Sequence, residues 1–290
     1  MRLGFVGMGV FSVIMSSVFI GLSVCVDSLF SFWVFLELAG LALIPSFFST
    51  SLYVAGGAYS GLLLFVVMSA VSSVFFVSGI LINGLYGFIL LGFAVKLGVF
   101  PFMVWVYRVF SASNWLFIFL LSVVMKLPVL YFGYIFGGGW SAAVLADCSV
   151  TLLLCAGGFW SYSNCWEFIW CHMSLSSVST LLAVCYTGDF IMCWWVYLYY
   201  SVWAAFCIFY FWSTGTGSFD GHEIWVLCFL LLVTPVSMPL FYKLGVCLVL
   251  FYSSVYLLLV WAVYSFSEQF FLFKLCGDNV TTGVLNGWFR

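Results

Sequence analysis

The chain has 290 residues, of which 66% are hydrophobic and only 6% charged, and its mean hydropathy is +1.27. Soluble globular domains run near a quarter charged, so a soluble domain is excluded and the solvent is a lipid bilayer. Seven basic residues stand against nine acidic ones, for a net charge of -2, and no basic run exists that could hold a phosphate backbone, which excludes nucleic acid as a partner.

The first apolar run, Leu3–Val26, is about 24 residues long, too long for the hydrophobic part of a signal peptide, and reads as a retained span. Nine more runs follow: Ser28–Phe48, Ala58–Ile82, Leu85–Trp105, Trp115–Phe136, Trp140–Phe159, Glu167–Tyr186, Phe190–Trp212, Glu223–Leu240 and Lys243–Phe266. Each is near the 20 residues a span needs, and the breaks hold Gly, Asn, Asp or Pro. From Lys243 to Leu275 there is no clear break, which would make about 50 Å of helix against a hydrocarbon core of about 30 Å. An eleventh span, Tyr256–Leu275 after a first half ending near Ser254, is the alternative. No alternation of strand type occurs, so the expected fold is all-α: a single transmembrane domain over residues 1–290, a polytopic bundle of ten or eleven spans with discontinuous helices. Arg2 and Arg108 fall on the side of the N-terminus and Asp27 and Asp189 on the other, which puts the N-terminus on the cytoplasm-equivalent side.

Three ionisable residues sit deep in these runs. A charge at the bilayer centre costs about 2.5–3.5 kcal/mol on insertion scales, so each needs a reason. Glu37, in Phe35-Leu36-Glu37-Leu38, is at mid-run; it is either a protonated acid bonded to a neighbouring helix or a proton carrier. Lys96 lies nine residues from Trp105 and eleven from Leu85, beyond the reach of a snorkelling stem from either end of that run. Lys126 is followed by Leu127-Pro128, and Pro128 removes an amide and interrupts the helix beside the charge, where freed backbone groups can bind ions or line water. Pro235, Pro239 and Lys243 repeat the pairing; either break alone is more often a packing kink, and it is the two lysine-adjacent breaks in one chain that favour a hydrated site. A lysine and a carboxylate on facing helices each favour the charged form of the other, so a proton arriving on Glu37 releases the one on Lys96.

Other features weigh less. His172, in Trp170-Cys171-His172-Met173, is either a further proton carrier or a satisfied core residue. Glu167 opens a helix, where the macrodipole favours an acid. Asp220, His222 and Glu223 form the one polar loop cluster; capping of the ninth span is the default role for Asp220, with a metal site as the remote alternative. Eleven cysteines are scattered singly and read as small core residues, with no metal site and no cofactor-binding motif. The aromatic excess reads as mostly lipid-facing bulk. Abundant Phe, Gly, Trp and Cys beside scarce Lys, His and Pro match codons biased to T and G, as in an organelle genome.

At Phe35-Leu36-Glu37-Leu38 with Ile44-Pro45, at Lys96-Leu97-Gly98-Val99-Phe100-Pro101-Phe102-Met103-Val104-Trp105-Val106, at Lys126-Leu127-Pro128 and, more loosely, at Pro239-Leu240-Phe241-Tyr242-Lys243, the chain resembles the antiporter-like membrane subunits of respiratory NADH:ubiquinone oxidoreductase (complex I). The early place of Glu37 favours the mitochondrial subunit 2 branch in its shortened animal form, with the last helix missing from a short tail. The resemblance implies that Glu37, Lys96, Lys126 and Lys243 form a mid-membrane row that passes protons. It also implies a mitochondrial inner-membrane location and other membrane-arm subunits as partners. NADH, flavin, iron-sulphur clusters and ubiquinone would be held in other subunits, and none in this chain. Met103 stands where the motif usually has His, Tyr107-Arg108 where Pro-Glu is usual, and Cys165-Trp166-Glu167 where basic residues are frequent; His172 is the residue left to take up the mid-chain duty. The competing functions are a free-standing cation/proton antiporter with the same buried charges and a spacer that has lost pumping.

Overall fold

The computed structural model describes residues 2–49, 55–82, 86–136, 141–188, 190–214 and 221–280. Asp189 and Asp220 fall outside the described residues, as do Leu85 and Trp140 from the expected boundaries and the side chains of Arg2, His222 and Glu223. Among the described residues the regular structure is all helical, as a chain must be where lipid offers its backbone no partner. The order is α1 (Arg2–Val24), α2 (Leu29–Leu43) with a 3-10 turn at Ile44–Phe48, α3 (Ala55–Leu81), α4 (Tyr86–Leu97), α5 (Met103–Ala112) and α6 (Trp115–Ser122). A second 3-10 turn, Val124–Lys126, leads into α7 (Leu127–Phe136), then α8 (Ser141–Tyr162), α9 (Trp166–Thr187), α10 (Phe190–Thr214), α11 (Gly221–Leu231), α12 (Met238–Ser253) and α13 (Val255–Val280). Eight segments, with α6–α7 taken as one, are long and apolar enough to cross a membrane, and the protein is a multi-pass membrane protein.

Two further passes are interrupted helices. Along α3, Phe75 meets Phe88, Ser69 lies by Lys96's neighbour Gly40, Phe65 meets Trp105 and Gly61 meets Ala112, so α4 and α5 run past α3 in one direction as a single broken span. Along α13, Cys276 meets Cys228, Gln269 bonds residues 231 and 233, and Ser265 meets Lys243. The chain therefore keeps its direction from α11 into α12, and that broken span lies antiparallel to α13.

These breaks correct the expected boundaries. The fourth span does not end at Trp105 but continues through α5 to Ala112, after an interruption at residues 98–102 that includes a cis Phe100-Pro101 bond and Gly98 at φ 70°. The expected tenth span, Lys243–Phe266, does not exist as one helix: α12 carries Lys243 on to Ser253, the chain reverses at Ser254, and α13 makes the last pass alone. The division near Ser254 is the one foreseen as the alternative, yet it adds no eleventh pass, because α11 and α12 share one. Hydropathy is uniform across this stretch and says nothing of where it turns. Pro235, beside Val236 at φ 71°, breaks the span without reversing it, whereas Pro239 sits in the first turn of α12, where no amide is needed.

α9 is the central helix, 89% buried. It carries Ser174, Ser176, Ser177, Ser179 and Thr180 in the core, four of them bonded to carbonyls three or four residues back, which removes the cost of an unmade hydrogen bond. The aromatic excess is shared between the outer surface, where Trp195, Phe209, Trp212, Trp225, Tyr252 and Phe266 among others are exposed, and the core. Trp170, Tyr200, Phe32, Phe76, Phe110, Phe117, Phe132, Phe159 and Phe211 are among the largest fully buried side chains, and they add van der Waals contact, a main attraction between helices in lipid.

Candidate functional site

Glu37 on α2 and Lys96 in the last turn of α4 form an ion pair, Lys96 Nζ to Glu37 Oε1 at 2.5 Å. Ser69 of α3 donates to the other carboxylate oxygen at 3.0 Å. Lys96 is at a helix C-terminus, where free carbonyls favour a cation. It is there because the helix stops: Gly98 takes a left-handed φ, and a Cβ at that position would collide with the Val106 side chain. The freed groups are taken up by neighbours. The Trp105 indole donates to Val95 O at 3.0 Å, and the Phe100 amide donates to Thr151 Oγ1 of α8 at 3.1 Å.

Lys126 is built differently. It is 2% exposed and, among the described residues, faces no carboxylate; its ammonium donates to Ser174 O at 2.8 Å, Ser177 Oγ at 2.6 Å and Tyr200 Oη at 2.7 Å. Three donors and three acceptors leave nothing unmade. At the break before it, the Tyr200 hydroxyl of α10 donates to Ser122 O at 3.2 Å, and the Tyr197 hydroxyl donates at 3.2 Å to Val123 O, which also accepts from the Lys126 amide. Tyr200 thus bridges the lysine and the interruption.

Lys243, on the first turns of α12, pairs with Glu268 at 3.3 Å and donates to Ser265 O at 3.3 Å. Glu268 is 3% exposed and was not foreseen. It lies in Ser267-Glu268-Gln269, just past the expected end of the tenth span, so a misplaced boundary hid an acid that in fact sits mid-helix.

All these groups meet near mid-depth. Ser69 is near the midpoint of α3, Ser174 and Ser177 near that of α9, and Glu268 near that of α13, all uninterrupted spans. A cavity of about 40 Å³ has both Lys96 and Lys126 in its wall, with Ser69 and Ser174, and could hold about three waters. A smaller one of about 10 Å³, at the lower limit for one water, joins Ser176, Thr180 and Tyr242 to Lys243 and Glu268. Between the two, Ser177 accepts from Lys126, Thr180 donates to Ser177 O at 3.0 Å, and Thr180 and Tyr242 hydroxyls lie 3.4 Å apart. The polar path reads Glu37, Lys96, cavity, Lys126, the hydroxyls of α9 and Tyr242, Lys243, Glu268.

His172 is off this path. It is 1% exposed, its Nδ1 lies 2.7 Å from Tyr107 Oη, its Nε2 is unpartnered, and it lines neither cavity. It packs against Gly158, where any Cβ would overlap the imidazole. Glu167 stands in the first turn of α9, as expected of a helix start.

No protein-family model matches the chain, and no curated protein matches it in sequence. Among solved structures, a chain of the Mrp complex from Dietzia sp. DQ12-45-1b shares the fold at a TM-score of 0.78 and 13% identity, over 94% of this chain and 60% of that one. A chain of the membrane-bound sulfane sulfur reductase (MBS), an archaeal respiratory membrane complex, does so at a TM-score of 0.61 and 15% identity, over 91% of this chain and 53% of that one. This chain therefore spans a little over half the length of either neighbour. The likeness is one of fold.

Proposed function

We propose that this chain is a proton-translocating membrane subunit of a redox-driven respiratory assembly, and specifically the subunit 2 type of NADH:ubiquinone oxidoreductase in the mitochondrial inner membrane. The observation that carries the reading is the cavity shared by Lys96 and Lys126, with Glu37 paired to the first lysine. Three of the chain's four lysines are spent inside the bilayer, each beside an interrupted helix, a costly arrangement without a task for the charge. That one of the neighbours is described as part of a respiratory membrane complex supports the assignment to such an assembly.

In the resting pair Glu37 is a carboxylate and Lys96 an ammonium. A proton delivered to Glu37 abolishes the attraction, so Lys96 gives its proton through the cavity toward Lys126. Lys126 is itself an ammonium with only neutral partners, so it takes that proton only as it gives its own on toward Lys243, once Lys243 has released its proton. The Thr180 and Tyr242 hydroxyls, 3.4 Å apart, lie on the way, with water, for which the cavities have room, closing the remaining gaps. The redox groups, NADH, flavin, iron-sulphur clusters and ubiquinone, belong in this reading to partner subunits, and the neighbouring membrane-arm subunits cover part of the bundle's surface.

The test is Lys96→Ala and Glu37→Ala in the assembled complex, with proton pumping measured against NADH oxidation. Each is expected to lower pumping about tenfold or more; unchanged pumping by assembled Lys96→Ala overturns the reading. Proton exchange for Na⁺ or K⁺ by the purified chain alone in liposomes would favour the free-standing antiporter instead.

A further inference from the structure

Glu268 is the one buried acid that the path above reaches but does not use. We propose that it is a proton-transfer residue in its own right: with Lys243 it makes a second carboxylate–lysine pair, the counterpart of Glu37 and Lys96, so the row ends in an acid at both sides. This rests on the proton-translocating reading and extends it by naming the group that takes the proton from Lys243.

The two pairs are built alike. In each, a lysine beside a helix interruption meets a carboxylate from a neighbouring helix, at 2.5 Å for Lys96 and 3.3 Å for Lys243. Each carboxylate has one further neutral donor, Ser69 for Glu37 and Gln269, at 3.3 Å, for Glu268. Each lysine faces a cavity that carries hydroxyls.

A purely structural role fits less well. The backbone groups freed at the break of α11–α12 are already held by Gln269, whose side chain accepts from the Val233 amide at 2.8 Å and donates to Leu231 O at 3.3 Å. Glu268 holds none of them. A buried ion pair stabilises no more than apolar side chains of similar volume, so packing alone gives no reason for an acid there.

The step is chemically simple. An N–H bond of the Lys243 ammonium breaks and an O–H bond forms on Glu268, leaving a neutral amine beside a neutral carboxylic acid. The pair carries no net charge before or after, which keeps the cost of the step low in an apolar interior. Loss of the proton from Glu268 to water restores the carboxylate, and the next proton from Lys126 restores the ammonium.

The experiment compares Glu268→Gln, Glu268→Asp and Lys96→Met in NADH-energised membranes holding the assembled complex. Proton uptake is read with a pH-sensitive dye, and carboxyl bands by infrared difference spectroscopy. Glu268→Gln is expected to lower proton transfer about tenfold and to remove a protonated-carboxyl band, while Glu268→Asp keeps part of the activity and shifts that band. Normal transfer with an unchanged pH profile in Glu268→Gln, alongside loss in Lys96→Met, overturns this inference and leaves the wider reading standing. Normal transfer in both variants overturns the two together. Should Glu268→Gln fail to accumulate, Glu268→Asp decides: a shifted carboxyl band supports the role, and an unshifted spectrum overturns it.

Discussion

Each buried lysine is tolerated for its own local reason, and the reasons predict different responses to substitution. Lys96 depends on one carboxylate. Glu37→Leu leaves an uncompensated ammonium and should cost about 3–5 kcal/mol, most of which Glu37→Leu with Lys96→Met should recover, as thermal unfolding in detergent would measure. Proton transfer should not recover in the double variant. Lys126 depends on neutral oxygens instead. Tyr200→Phe removes an acceptor from the lysine and the donor that satisfies Ser122 O, and should lower stability by about 1–3 kcal/mol in the same measurement. The hydrophobic runs alone make Glu37, Lys96 and Lys126 visible as anomalies. Their partners Ser69, Ser174, Ser177 and Tyr200 are invisible there, because a lone Ser or Tyr in an apolar helix is ordinary.

At the scale of the element, three of the passes are not continuous helices, and the lysines are tied to those breaks. Gly98 sets the first. Gly98→Ala forces an L side chain into a left-handed backbone, at about 1–2 kcal/mol, and drives its Cβ into Val106. The expected result is a lower unfolding temperature together with weaker proton transfer, since Lys96 is only two residues before the turn; an unaltered transfer rate would separate the break from the function. Pro235 lies within the third break, whereas Pro128 and Pro239 each sit at the second residue of the helix that resumes after a break, α7 and α12, and so mark where a helix starts again. What proline spacing does not reveal is whether the chain reverses at a break or goes on in line. That depends on which helix lies alongside, here α3 for α4–α5 and α13 for α11–α12.

Taken as a whole, the bundle places α9 at its centre and sets its hydroxyls between the lysines of α6–α7 and α12. The cavity between Lys96 and Lys126 is a property of several helices at once. Val178→Phe, which fills it from α9, should cost about 1–3 kcal/mol by overpacking and lower proton transfer about tenfold while leaving assembly intact. Leu259→Phe, on the exposed face of α13, should change neither, and the two variants are compared by dye-reported proton uptake in membranes.

The amino-acid sequence by itself determined the solvent, the all-helical class and most of the spans, because an apolar backbone in lipid has few ways to satisfy its hydrogen bonds, and a mid-span charge stands out against that background. Tertiary structure alone decided the rest. Which carboxylate meets which lysine, the division of the last two passes at Ser254, the place of Glu268 and the exclusion of His172 from the path all follow from contacts between residues far apart in the chain, and periodicity along one helix carries no record of what faces it.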